Sequence, residues 1–179
     1  MLDKDQLGIV RGSVAALAVA VAAIGGGYIW LAPQWFGLTN GMAMSDQIAF
    51  ALKADLPLFL WLAFCVRVVS KRRFQSAVDR KGSAFGSPSE MIAVPLAVLQ
   101  NSLEQTVLAF GGHLVLATVL RGPELVLIPL LVAVYLVGRV AFWIGYPYGA
   151  ARRSFGMALT AAPTFASYFL AAGLMAAGR

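Results

Sequence analysis

Asn101, Glu104 and Gln105 interrupt one of the most apolar stretches of this chain, between residues 91–99 on one side and 107–120 on the other. Asn101 and Glu104 are three positions apart and share a helix face, with Ala97 one turn earlier on it. An ionisable group at membrane depth costs several kcal/mol unless it pairs or reaches water, so Glu104 is a site candidate by default. The plainer reading is that the two side chains only cross-link neighbouring helices, at about 1 kcal/mol each. His113 follows nine positions after Glu104, about half a revolution away on an ideal helix. It therefore reads as a hydrogen-bonded or interfacial histidine rather than a catalytic one.

A second cluster closes the next apolar segment, in the stretch GRVAFWIGYPYGAARRSFG. Arg139, Phe142 and Tyr146 lie at i, i+3 and i+7, a single helical stripe. Arg139 is the natural cross-bundle partner for Glu104. Pro147, with Gly145 and Gly149 on either side, loosens or ends the helix. Arg152 and Arg153 then stand at the start of the last segment. Taken alone, that pair reads as charge flanking a membrane span.

The elements that must position these residues are membrane helices. Of 179 residues, 60% are hydrophobic and 12% charged, with a mean hydropathy of +0.78. Soluble domains are nearer 45–50% apolar and about 25% charged. Five apolar segments stand out, at about 12–32, 56–70, 91–120, 123–146 and 155–177. The second reaches spanning length only if Lys53 and Arg67 snorkel from its ends. The net charge of +6 is too small and dispersed for a nucleic-acid platform, and no nucleic-acid partner is expected. The charge instead sets topology. Lys71, Arg72, Arg73, Arg80 and Lys81 fall in the second connection, and Arg152 and Arg153 in the fourth, whereas the first and third are almost free of basic residues. The positive-inside rule then puts the N-terminus in the cytoplasm and the C-terminus outside.

The opening MLDKDQLG is acidic where a signal peptide would be basic, so none is expected. Cys65 is the lone cysteine, which excludes a disulfide framework and a thiolate metal cluster; no metal site is expected, and Cys65 reads as a small core residue. Small residues recur in the first and last segments, among them Ala15, Ala16, Gly25 to Gly27, Ala158 and Ala162. They permit close helix approach in a tight bundle or an oligomer. The Ala-rich composition also suggests a bacterial cytoplasmic membrane.

The sequence NSLEQTVLAF on one helix, an Arg and GY on the next, and a basic position before the last helix together resemble the MAPEG family. These are the membrane-associated proteins of eicosanoid and glutathione metabolism, including microsomal glutathione transferases and leukotriene synthases. The resemblance spans about residues 52–177. It implies a four-helix membrane domain over 52–179, preceded by an additional transmembrane helix and outer loop over 1–51. It also implies homotrimers that bind glutathione as co-substrate between adjacent subunits, in sites open to the cytoplasm.

Carried over by position, Asn101 and Glu104 match the family residues that hold the tripeptide's polar backbone and charged ends. Arg139 and Tyr146 match the Arg and the Tyr of the third family helix. Arg153, by its spacing from Tyr146, matches the Arg at the glutathione sulfur in the leukotriene synthase branch, with Arg152 as its adjacent alternative. Arg72 and Arg73 fall near a basic site position after the first family helix. A guanidinium at the sulfur favours the thiolate, which is the nucleophile, and Arg stays charged in a poorly hydrated site. The expected activity is that of a membrane-bound glutathione transferase or peroxidase acting on lipophilic electrophiles or lipid hydroperoxides that enter from the bilayer. The family pattern is broken at three positions. Ala97 stands where an Arg is frequent, Gln105 where some branches have an aromatic residue, and Phe142 in place of a Tyr. These departures motivate a second reading, a non-catalytic scaffold or lipid-binding subunit that docks a membrane-protein partner through the N-terminal helix.

Overall fold

A computed structural model of the chain describes residues 3–82 and 84–179. It is all helical over these residues: α1 Lys4–Trp30, α2 Met44–Ala54, α3 Leu56–Gln75, α4 Glu90–Val119, α5 Leu127–Gly145 and α6 Ala150–Ala176. Among the described residues four stretches are long and apolar enough to cross a membrane: Lys4–Trp30, Met44–Gln75, Gly122–Tyr148 and Ala150–Ala176. The fifth long helix, α4, has 30 residues and spans roughly 45 Å at the usual rise per residue. Its polar insertions, Gln100, Asn101, Glu104, Gln105 and His113, dilute its hydropathy. The chain is an integral membrane protein, with five long helices among the described residues.

The first helix starts eight residues before its uncharged stretch. A reciprocal capping box sets that start: Asp3 Oδ1 accepts the Gln6 N–H at 2.7 Å, and Gln6 Oε1 accepts the Asp3 N–H at 3.0 Å. The second membrane element also differs from expectation. It is a long helix broken once, because only Asp55 separates α2 from α3. Pro57 has no N–H to give to the turn before it, so the axis breaks there and resumes. The expected domain boundary at 51/52 consequently falls inside α2, whose Ala51 is fully buried in the main core.

Helix α6 is the hub of the bundle, packing on α1, α5 and α4, while α3 packs on α4. The α5–α6 contact is close enough to bring backbone against backbone. A Cβ on Gly156 would stand 2.5 Å from the Gly138 carbonyl oxygen and inside the Phe142 backbone nitrogen. The start of α4 is held by the basic connection itself. Asp79 accepts the Ser89 N–H at 2.9 Å and the Ser89 hydroxyl at 2.5 Å. Arg72 donates to the Met91 carbonyl at 2.7 Å, joining the end of α3 to the start of α4.

Candidate functional site

The stripe Arg139, Phe142, Tyr146 on α5 forms a continuous stack in the structure. The Arg139 guanidinium lies 4.4 Å from the Phe142 ring centroid. The Phe142 and Tyr146 rings meet edge to face at 5.3 Å. The Arg153 guanidinium, coming from the first turn of α6, lies 4.5 Å from the Tyr146 centroid. Each contact sets a cation against the negative face of a ring, or a ring edge against a ring face, as aromatic quadrupoles favour. Two sequence features make this possible. The i, i+3, i+7 spacing keeps the α5 side chains in line, and the short turn at 146–149 returns the chain so that α6 begins beside Tyr146.

Arg139 is fully buried. Its Nη1–H donates to Asn101 Oδ1 at 2.9 Å and its Nη2–H to Ser102 Oγ at 3.1 Å. Ser102 Oγ also accepts the Trp61 indole N–H at 3.1 Å, and the Cys65 thiol approaches it at 3.7 Å. A buried cation is thus balanced by neutral acceptors drawn from α4 rather than by a carboxylate. This corrects the expected Arg139–Glu104 pair. Glu104 points out of the bundle and accepts a hydrogen bond from Gln100 Nε2 at 2.9 Å, one turn earlier on its own helix. The three-residue step from Asn101 to Glu104 turns about 60° around the axis, which leaves half-buried Asn101 at the edge of the packed face beside Arg139 and carries Glu104 past that edge to the exposed side.

A cleft of about 370 Å³ opens beside this stack. Asn101, Tyr146 and Arg153 line it, with Ala97, Phe142 and Met157 among the apolar residues around them. The volume lies within the usual range for small-molecule sites. Of the six residues proposed from sequence, the structure brings Asn101, Tyr146 and Arg153 together in the cleft and puts Arg139 immediately behind it. Glu104 and Arg152 do not line it; Arg152 is exposed, one step around α6 from Arg153. The cleft can accept an anionic or amide-bearing ligand on Arg153, Tyr146 and Asn101, with apolar wall on the other sides.

The family model for the MAPEG family matches residues 54–173. The chain belongs to the MAPEG family. It is also similar to transmembrane protein 79 of Mus musculus, at 27% identity over 167 residues, covering 91% of this chain and 40% of the relative. The match to transmembrane protein 79 of Bos taurus is 30% over 79 residues, covering 44% of this chain and 20% of that relative. The chain thus spans about two fifths of the mouse protein's length. The mouse match extends outside the family's residues and into α1, because it leaves only about a tenth of the chain uncovered. No solved structure matches.

Sequence reasoning missed three features. Ser102 is the polar hub under Arg139, and its signal was only a hydroxyl next to Asn101 in an apolar run. Asp55, fully buried, pairs with Nδ1 of His113 at 2.6 Å; a carboxylate two residues before a proline inside a membrane element was the available clue. Ile9, from α1, lines the cleft, and nothing in its local sequence indicated this.

Proposed function

We propose that this MAPEG protein binds glutathione at the Arg153 cleft and joins its thiolate to a lipophilic electrophile. The observation that carries the reading is the convergence of Arg153, Tyr146 and Asn101 on one cleft at the basic end of the bundle. Free thiols have a pKa near 8.5, so at neutral pH most glutathione is protonated. A guanidinium fixed over Tyr146 stabilises the thiolate, and the thiol proton leaves to water at the cleft mouth. The thiolate then forms a carbon–sulfur bond to the electrophile as that carbon's leaving group departs or its double bond opens. Asn101, aligned by Arg139, binds a peptide amide of the tripeptide and orients the sulfur, an effect that removes part of the entropic barrier. Reduction of a lipid hydroperoxide is the alternative use of the same thiolate, consuming two glutathione molecules to give disulfide, alcohol and water.

The homotrimer is the assembly the family resemblance implies, and exposed residues on α4 give a neighbouring copy a face to cover. Leu103 and Val107 are exposed beside Glu104 and Gln100 at mid-height of a spanning helix. A carboxylate facing lipid there is costly, whereas a neighbouring copy covering this face supplies polar partners. Glu104 then reaches the ligand's charged ends from the subunit boundary, and Arg152 stays at the membrane surface. By the positive-inside rule, the seven basic residues at this end, Lys71, Arg72, Arg73, Arg80, Lys81, Arg152 and Arg153, support a cytoplasmic location for it. The expectation of a bacterial membrane rests on the Ala-rich composition alone and is not supported by the relatives, both of which are mammalian.

The second reading, a non-catalytic lipid-binding or scaffold subunit that docks a membrane protein through α1, is favoured by Ala97, which leaves the cleft one guanidinium short of the family pattern. Glutathione titration of the detergent-solubilised protein, followed by calorimetry and by thiolate absorbance, separates the two. Binding with thiolate formation that Arg153→Ala abolishes is expected. Absence of both signals, with a stoichiometric partner in the purified sample, would establish the scaffold reading instead.

A further inference from the structure

Helix α1 lies outside residues 54–173, yet it contributes a side chain to the cleft. Gly8 and Gly12 lie one turn apart and face α6. A Cβ on Gly8 would stand 2.7 Å from the Ala151 Cβ, and one on Gly12 would stand 3.3 Å from the Phe155 backbone nitrogen and overlap the Ser154 hydroxyl. Glycine at both positions therefore lets α1 seat directly on the first turn and a half of α6, the segment that carries Arg153. Ile9, one step around from Gly8, projects past this seam into the cleft. It is about one third exposed, so part of its surface faces out of the bundle while the larger part is covered.

We propose that α1 is a wall of the ligand site and that Ile9 determines which substrates the site accepts, by limiting the size of the apolar group that can lie beside Arg153. The inference rests on the reading that the ligand's sulfur sits at Arg153. The cleft is two-sided. Asn101, Tyr146 and Arg153 form the polar side, which suits the charged peptide. Ile9 and Met157 form an apolar side facing the same space, which suits the hydrocarbon part of the electrophile. The width between these sides depends on how closely α1 seats on α6, and hence on Gly8 and Gly12. An electrophile bulky next to its reactive carbon is excluded by the Ile9 side chain, and a slim one is held against it.

Two measurements test this, one of them independent of glutathione. In a Cys65→Ala background, Arg153→Cys supplies a single thiol in the cleft, and its rate of modification by a small methanethiosulfonate reagent reports access. Adding Ile9→Trp slows modification at least tenfold and adding Ile9→Ala speeds it; rates within twofold of one another overturn the proposal. In the protein with Arg153 intact, a series of electrophiles graded in bulk at the reactive carbon is compared by kcat/KM. Ile9→Ala shifts the preference at least fivefold toward the bulky members, and Ile9→Trp shifts it the other way; an unchanged preference overturns the proposal. If the thiol rates follow the residue at position 9 but the protein binds no glutathione, the wall stands and the glutathione reading falls. If glutathione binds while both readouts ignore position 9, the glutathione reading stands and the wall falls.

Discussion

The Nη1–H of Arg139 donates to Oδ1 of Asn101 at 2.9 Å, so the amide that lines the cleft is oriented by a guanidinium that is itself sealed from solvent. With its oxygen engaged by Arg139, Asn101 has its NH2 free to donate toward the cleft. A fully buried cation is expensive and needs each of its acceptors. Arg139→Ala therefore removes two charge-assisted hydrogen bonds and leaves a cavity, and is expected to cost about 3 kcal/mol or more of folding stability. Arg139→Lys keeps the charge but has no planar fork to reach Asn101 and Ser102 together. It is expected to fold with a smaller loss and to weaken glutathione binding about tenfold. Detergent melting temperatures and calorimetric titration read the two effects separately.

At the other end of the bundle, His113 on α4 and Asp55 at the α2–α3 break form a buried pair, and the second carboxylate oxygen of Asp55 has no protein partner. Removing one member of a buried pair leaves the other uncompensated, typically costing 3–5 kcal/mol. His113→Leu and Asp55→Leu are each expected to destabilise by roughly that amount, and the double variant by much less than their sum. A double-mutant cycle by reversible unfolding in mixed micelles measures this. Additive losses would show that the two residues do not act as a pair.

Much of this architecture was legible in the residues, for reasons of period and charge. The apolar runs revealed the long helices, because hydrocarbon tolerates only backbones that satisfy themselves. The stripe of Arg139, Phe142 and Tyr146 followed from helical spacing, and all three stack along one face. What stayed hidden depended on rotation and on distant contacts. Glu104 and Arg139 looked complementary as charges, but sequence spacing could not show which side of α4 faces α5. Ser102 satisfies Arg139 without any charge pattern to announce it. The α2 helix was hidden because residues 44–54 mix Asp, Gln and Lys with apolar side chains, so the second apolar segment seemed to start only at about residue 56. The closeness of α1 to Arg153 depends on Gly8 and Gly12, whose role appears only when the facing atoms of α6 are known.

The connection between α3 and α4 should respond to acid. Hydrogen bonds from Ser76 and from the N–H and hydroxyl of Ser89, with Arg73 nearby, hold the Asp79 carboxyl below its ordinary range. A carboxyl whose folded pKa is depressed contributes stability that is present above its unfolded value, about 3.9, and is lost as pH falls through the folded value. Protection of residues 76–82 and 84–89 from hydrogen exchange or proteolysis is thus expected to be constant near neutral pH and to fall below about pH 4. Asp79→Asn is expected to show the reduced protection already at pH 7 and to flatten its acid dependence.

Gly156 is where α6 meets the backbone of α5, next to Phe142 in the stack. A methyl group there would meet the Gly138 carbonyl oxygen at 2.5 Å and the Phe142 Cα at 2.6 Å, both backbone atoms that no rotamer change can move. Gly156→Ala is expected to push the helices apart, lower stability by about 1–3 kcal/mol and remove Arg153 from its position over Tyr146. Gly173, with nothing near its Cβ position, is the control, since Gly173→Ala relieves a glycine in a helix and is expected to be neutral or mildly stabilising. Melting temperatures in detergent, paired with glutathione titrations, distinguish the two variants.

Arg153 combines charge with a planar face, and substitution can separate them. Its guanidinium lies 4.5 Å from the Tyr146 ring centroid, which fixes its direction as well as its distance. A stacked guanidinium of this kind contributes about 0.5–2 kcal/mol. Lys carries the same charge on a flexible stem with no face to stack. Arg153→Lys is therefore expected to keep some thiolate formation but lose roughly 2- to 30-fold in kcat/KM, the kinetic equivalent of the lost stack. Arg153→Ala is expected to abolish the thiolate signal. Tyr146→Phe keeps the ring under the guanidinium and removes only the hydroxyl, so it is expected to retain most thiolate formation if Tyr146 orients Arg153. A loss for Tyr146→Phe as deep as for Arg153→Ala would show instead that the phenol hydroxyl contacts the sulfur directly.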